Sequence, residues 1–294
     1  MDSKAPDPFG FDTQGQNYDI YRPKYPKPFV EEILKFTDNK NTYLDLASGT
    51  GILFFELFDS FNKDCVIHDR SAKQLQTASE KLKSVQRASP VHVLECDAYE
   101  IPKQLPKPLK FDLVTIAQAY HWFEPFRMLD YATKELLADG GALAITGYFC
   151  DGFDYNYLAE DEAFSKSGQR HYDEFYRIVK PHFDCDRDTL DAEHKDVDFS
   201  KYFETVKRSS VDITKELTID EFQKYLHTYS GYNLYINKFK GQSDIVDPNE
   251  KLFNDVKKEL ADFYQKRKIS IKEKPINMKM HFFLILAKKV KALI

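Results

Sequence analysis

Three acidic residues, Asp45, Asp69 and Asp97, each stand at the end of a short apolar run, and the first is followed by the turn Ala47-Ser48-Gly49-Thr50-Gly51. Carboxylates in such places can accept from an ammonium group, from ribose hydroxyls or from the amino edge of a base, and glycines let the backbone approach a ligand closely. Three readings of the turn compete. A phosphate-cradling P-loop needs a lysine after its last glycine, and none follows Gly51. A dinucleotide fingerprint needs a third glycine so that helix and strand can pack closely; Phe54 stands there, which leaves that reading weak. The third is a nucleoside-binding turn with no pyrophosphate to hold. Asp45 would then accept from a cationic group, Asp69 from both ribose hydroxyls, and Asp97 with the Ala98 N–H would read an adenine edge. S-adenosylmethionine meets these demands, since its amino acid end is cationic and its nucleoside carries no phosphate. Asp69 and Asp97 also have structural alternatives, as a loop or cap residue and as a turn residue.

For these groups to meet, the runs before them must be neighbouring parallel strands. The pattern supports this. "VEEILKF", "ILFFELFDSF", "SAKQLQTASEKLKSVQR" and "RMLDYATKELL" read as helices; "TYLDLA", "CVIH", "VHVLEC", "FDLVTIAQA" and "ALAITG" read as strands between them. Such alternation predicts an α/β fold with a parallel sheet covered on both faces. Ser71 with Gln74, and Thr218 with Glu221, have the spacing of capping boxes. "MKMHFFLILAKK" reads as a late strand, at an edge or inserted antiparallel between neighbours.

The segments "LDLASGTG", "HDRSAKQL", "CDAYEIP", "FDLVTIAQAYHWF" and "LLADGGALAI" together resemble the class I S-adenosylmethionine-dependent methyltransferases. "YDIYRPKYP" and "AQAYHWF" are similar to the small-molecule group that includes trans-aconitate methyltransferase and the fungal cantharidin-resistance methyltransferase. The resemblance covers residues 17–147 well and the C-terminal part loosely. It implies a Rossmann-like, mostly parallel seven-stranded sheet with one antiparallel strand and a helical cap insertion. It also implies Asp45, Ala47, Gly49 and Gly51 at the methionine end, Asp69 at the ribose, Asp97 and Ala98 at the adenine, and Gln118 beside the sulfonium. Ala47 stands where many relatives have glycine, and His68 where they often have a smaller residue.

Methyl transfer is an in-line displacement, so the protein must hold donor and acceptor together and exclude water. An ionised carboxylate acceptor needs no base; a phenol, thiol or amine would. His121 is the candidate base, with shaping of the pocket as its alternative. Tyr120 and Trp122 could flank the positive methyl group, or be core aromatics. Tyr18 and Arg22 lie in a proline-stiffened arm that would cover the cofactor, with Arg22 pairing a carboxylate of cofactor or acceptor. Tyr229 and the aromatic stretch after residue 148 would line the acceptor pocket. The expected organisation is an arm at 1–28, a cofactor-binding core at 29–147, an aromatic and acidic cap at 148–205, and the rest of the core with a cap segment at 206–294.

Composition narrows the partners. The 294 residues carry a net charge of −5 and an aromatic content of 15%. The negative charge argues against nucleic acid. Residues 151–200 hold 14 acidic and 6 basic residues, residues 251–294 hold 4 and 12; solvated faces account for this most simply. Four cysteines without a C-x-x-C pair, no leader-like N-terminus and no long apolar run lead us to expect a reduced, cytoplasmic, membrane-free enzyme, favoured as a monomer, with no metal. The expected function is S-adenosylmethionine-dependent methylation of a small molecule, with a carboxylate oxygen as the expected target. The alternatives are a protein methyltransferase and a methyltransferase-fold binding protein that has lost catalysis.

Overall fold

A computed structural model describes residues 21–156, 162–242, 245–268, 270 and 272–291. Tyr18 and most of the expected arm lie outside the described residues. Among the described residues seven strands form a single sheet: β1 (Tyr43–Leu46), β2 (Cys65–Asp69), β3 (Val91–Glu95), β4 (Phe111–Ala117), β5 (Leu137–Tyr155), β6 (Thr205–Leu217) and β7 (Ile276–Lys288), in the order β3-β2-β1-β4-β5-β7-β6. The β1–β2, β1–β4, β2–β3 and β4–β5 pairings are parallel. The sheet as a whole bears out the α/β parallel sheet that the strand–helix alternation predicts and the Rossmann-like, mostly parallel seven-stranded form that the resemblance implies.

The helices are α1 (Lys27–Phe36), α2 (Phe54–Leu57), α3 (Ala72–Leu82), α4 (Ile101–Gln104), α5 (Pro125–Tyr131), α6 (Glu162–Lys166), α7 (Gln169–Val179), α8 (Arg187–Asp191), α9 (Ile219–Leu226), α10 (Ser230–Lys238) and α11 (Pro248–Arg267). Chain contacts divide the described residues into two compact units. The first holds Pro23–Tyr148, Asp186–Ser210 and the chain from Phe282; the second holds Arg22, Phe149–Cys185 and Val211–His281.

In the first unit every residue of β1 is buried and β4 is buried nearly throughout, as central parallel strands covered on both faces must be. β3, at the edge, is half exposed. The strand order reverses beside β1, between β2 and β4, and a crevice at such a switch point is where open α/β sheets bind ligands. Where "SAKQLQTASEKLKSVQR" predicts a helix to Arg87, α3 stops at Leu82. Arg87 turns away to donate to the carbonyls of Phe58, Phe61 and Lys63, so the polar end of the segment ties down the loop before β2. β5 continues to Tyr155, beyond the six residues its apolar core suggests.

In the second unit α7, α9, α10 and α11 bury aromatic faces. Phe153 meets Phe222 edge-on with ring centroids 4.9 Å apart, and Tyr225 meets Tyr229 at 5.4 Å. Here the unusual Phe and Tyr content goes into core. Thr218 closes a full capping box with Glu221 at the start of α9. Ser71 makes no side-chain cap bond at α3, which corrects the reading of Ser71 and Gln74 as a capping box. Among the described residues no helix is long and apolar enough to cross a membrane.

Candidate active site

The turn after β1 is built from backbone conformations that resist ordinary side chains. Ala47, Gly49 and Gly51 have φ of 54°, 56° and 80°. A Cβ on Gly51 would stand 2.9 Å from both Ile67 and Phe55, so glycine is required there for space as well as for φ. The end of β2 holds the turn in place. The Gly49 N–H donates to Asp69 Oδ2 at 2.8 Å, and Oδ1 of the same carboxylate takes the Ser71 N–H at 2.8 Å. A carboxylate oxygen accepts more than one hydrogen bond, so Asp69 retains capacity for ribose hydroxyls while it cross-links turn and helix.

Asp45 is fully buried. The Thr115 hydroxyl donates to its Oδ1 at 2.5 Å and lies 2.9 Å from the Tyr43 hydroxyl. Since Thr115 has one proton to give, Tyr43 must donate to Thr115, which makes a directed chain ending on Asp45. Asp45 Oδ2 and Gln74 Oε1 are both buried with no partner at hydrogen-bonding geometry. Burial pushes the Asp45 carboxyl up to about 7; the Thr115 bond opposes the shift, the nearby Asp69 charge adds to it, and the Phe54 backbone N–H opposes it more weakly. A buried carboxylate oxygen with no donor is a standing cost that a cation would remove. The residues therefore fit a ligand with a cationic end at the turn.

Asp97 is exposed, and its Oδ1 takes the Tyr99 N–H at 2.9 Å to cap the turn Ala98–Glu100. Ala98 is buried and its carbonyl accepts from the Tyr131 hydroxyl at 2.9 Å. Gln118, with φ of 54°, binds the Tyr148 backbone on both sides: Nε2 donates to the carbonyl and Oε1 accepts from the N–H, each at 2.8 Å. Its amide thus extends the β4–β5 ladder past the strand end. Tyr120 is 1% exposed, donates its hydroxyl to the Pro125 carbonyl, and packs edge-on against His194 at 4.9 Å; it is a core side chain. His121 and Trp122 are half-buried with their rings 5.6 Å apart.

Asp45, Ala47, Gly49, Gly51, Asp69, Asp97, Ala98, Gln118, His121 and Trp122 all belong to the first unit. Arg22 and Tyr229 come together in the second. There Arg22 donates to the Thr228 carbonyl at 2.9 Å, and its guanidinium lies 5.9 and 5.7 Å from the rings of Tyr225 and Tyr229. The sequence predicts Gln74 only as a cap residue, from its spacing after Ser71; its buried side chain is turned toward Gly49.

The geometry defines a Rossmann-like methyltransferase fold with a nucleoside-type turn at its switch point. Comparison with known proteins agrees. Residues 44–141 match the methyltransferase domain family. The chain is 26% identical to a candidate methyltransferase of Dictyostelium discoideum over 84% of its own length and 87% of that protein's. It is 24% identical to the probable S-adenosylmethionine-dependent methyltransferase CRG1 of Saccharomyces cerevisiae over 43% of each chain. A solved structure of a candidate type II methyltransferase from Anaeromyxobacter dehalogenans shares the fold, with a TM-score of 0.65 and 18% identity over 92% of this chain and 99% of that one. Residues 44–141 thus form a methyltransferase domain of the class I, S-adenosylmethionine-dependent kind, and S-adenosylmethionine is the methyl donor.

Proposed function

We propose that the protein methylates a small organic acid on a carboxylate oxygen. The observation that carries this is Arg22, whose guanidinium is held by a backbone carbonyl and by two tyrosine rings. A fixed guanidinium suits a carboxylate, which it can grip with paired N–H donors, and the tyrosines offer an apolar body to the rest of the acid. The bound cofactor supplies an electrophilic methyl group. The protein's part is to bind, orient and exclude water. Asp45, with the turn from Ala47 to Gly51, holds the cationic end; Asp69 takes the ribose and Asp97 with Ala98 the adenine. Gln118 fixes the strand end through its pairing with Tyr148, and Tyr18 and Tyr120 act in support of the binding surfaces. His121 and Trp122 shape the acceptor side of the first unit, and Tyr229 stands beside Arg22 in the second. No general base is required, because the acceptor is already ionised. The protein acts as a monomer in the cytoplasm, without nucleic acid or membrane.

The test is incubation of the purified chain with methyl-labelled cofactor and a panel of carboxylic acids, amines and phenols, read by mass spectrometry. Alkali-labile methyl esters are expected, at a rate that, with cofactor saturating, varies less than about threefold between roughly pH 6 and 9. Label found only on amines, phenols or protein would sink the acid reading and leave the methyltransferase class standing.

A further inference from the structure

The dipeptide that ends β2, His68–Asp69, meets the glycine turn at four points. The Ala47 N–H donates to His68 Nδ1 at 3.3 Å, the Ser48 N–H and hydroxyl donate to the His68 carbonyl at 2.8 and 3.0 Å, and the Gly49 N–H donates to Asp69. On the far side of the imidazole, Nε2 lies 3.1 Å from the carbonyl of Cys96, the residue before Asp97. A backbone N–H can only donate and a carbonyl can only accept. Nδ1 must therefore carry the lone pair and Nε2 the proton. The ring is 1% exposed. Burial holds its pKa down to about 4 against the pull of the Cys96 carbonyl and the Asp97 charge, so the neutral form this pattern needs is the form present. The turn requires such support: Ala47 sits at φ of 54°, a left-handed conformation that disfavours a side-chain-bearing residue.

We propose that His68 is a positioning residue that clips the methionine-end turn, through Ala47, to the adenine-end loop, through Cys96, so that the two halves of the cofactor site form as one. The proposal rests on the cofactor reading above. An apolar residue at this place would fill the space but leave the Ala47 N–H and the Cys96 carbonyl without partners. Asparagine can keep the acceptor for Ala47.

The experiment is calorimetric titration of the full chain with two probes: S-adenosylhomocysteine, which spans both halves, and 5′-methylthioadenosine, which lacks the amino acid end. His68→Phe is expected to weaken S-adenosylhomocysteine about 30-fold and 5′-methylthioadenosine less than about threefold, with His68→Asn recovering the first probe to within about threefold of wild type. A general loss of structure would weaken both probes alike. Equal loss on both, or no loss on either, overturns the clip. Should the Phe variant fail to fold, nitrogen-15 histidine spectra of the wild-type chain decide, with His68 assigned by the signal missing from His68→Asn. The expected result is the Nε2–H tautomer, still neutral at about pH 5.5; an Nδ1–H tautomer, or protonation near the ordinary value, overturns it. Wild-type protein that binds neither probe would instead overturn the cofactor reading and take the clip with it.

Discussion

Two carboxylates, Asp45 buried in the first unit and Glu259 half-buried in the second, divide function from structure. Asp45 in the first unit has one oxygen held by Thr115 and the other without a donor. Glu259 on α11 in the second unit has both oxygens occupied: Ser167 at 3.0 Å and Arg170 on Oε1, Tyr155 at 2.9 Å and His171 at 2.6 Å on Oε2. A cleft of about 490 Å³ opens beside Glu259, lined by Phe164, Arg170, His171, Phe263 and Arg267 among others. Size and charge alone would nominate that cleft. Hydrogen-bond accounting points the other way: Glu259 already has the donors it needs, and Asp45 does not. The titration behaviour agrees, since burial lifts Asp45, whereas at Glu259 the lift from burial is outweighed by His171, Tyr155, Ser167 and Arg170 and the pKa ends lowered.

The sharpest way to break this contrast is Asp45→Asn. It removes the charge that a cationic cofactor end would meet, so the affinity for S-adenosylhomocysteine should fall by about 100-fold or more. The same change should stabilise the ligand-free protein. Because the folded pKa is raised, the folded state keeps a proton that the unfolded chain releases, and stability is lost as pH climbs from the ordinary carboxylate value through about 7. Denaturant melts at about pH 8 should show the variant more stable, by on the order of 3 kcal/mol, with the gap closing toward about pH 4. Unchanged affinity, or a variant less stable at high pH, would mean that Asp45 is a structural carboxylate like Glu259.

Glu259→Gln should do the reverse. Four donors lose a shared anion, and the expected cost is about 2–4 kcal/mol of stability, with S-adenosylhomocysteine affinity changed by less than about threefold. Here the folded pKa is lowered, so the stability is present above the unfolded value and disappears as pH falls through the folded one. Wild type and variant should therefore converge in acid. A large loss of cofactor affinity with little loss of stability would remove the distinction between the two carboxylates.

Much of this was legible before any coordinates. Buried parallel strands write themselves as short apolar runs, and parallel neighbours bring their C-terminal ends together, so placing Asp45, Gly49, Gly51, Asp69 and Asp97 after successive runs also places them near one another. What escaped the reading depends on direction and pairing. Most of β6 is exposed, and an exposed strand such as "TVKRSSVDITKEL" lacks the apolar run that marks a buried one. Tyr120 and Trp122 are aromatics one residue apart; only packing shows that the first is core and the second half-buried. His68 looks like an oversized substitute for a small residue until its two nitrogens are seen between two loops. The boundary between the units falls within β5, β6 and β7; in β7 it coincides with a change from alternating burial over Ile276–His281 to continuous burial from Phe282, a change of pattern inside one strand that reads in sequence as a single apolar segment.

The smallest expected effect separates a capping box from its look-alike. Thr218 and Ser71 open the same S/T-x-x-E/Q pattern. At Thr218 the side chain accepts the Glu221 N–H at 3.0 Å and the Glu221 side chain accepts the Thr218 N–H at 2.8 Å. Next to Ser71, whose own N–H goes to Asp69, Gln74 is 6% exposed and its Oε1 has no donor. That oxygen lies 3.5 Å from where a Cβ on Gly49 would stand. Thr218→Ala should cost about 1 kcal/mol, because a real cap is lost. Gln74→Met conserves volume and loses no cap bond, so the ligand-free protein should change by less than about 0.5 kcal/mol. If Gln74 faces the cofactor's cationic end, its variant should still bind S-adenosylhomocysteine several-fold more weakly. Equal stability losses in the two variants would restore the capping box at Ser71 and withdraw Gln74 from the site.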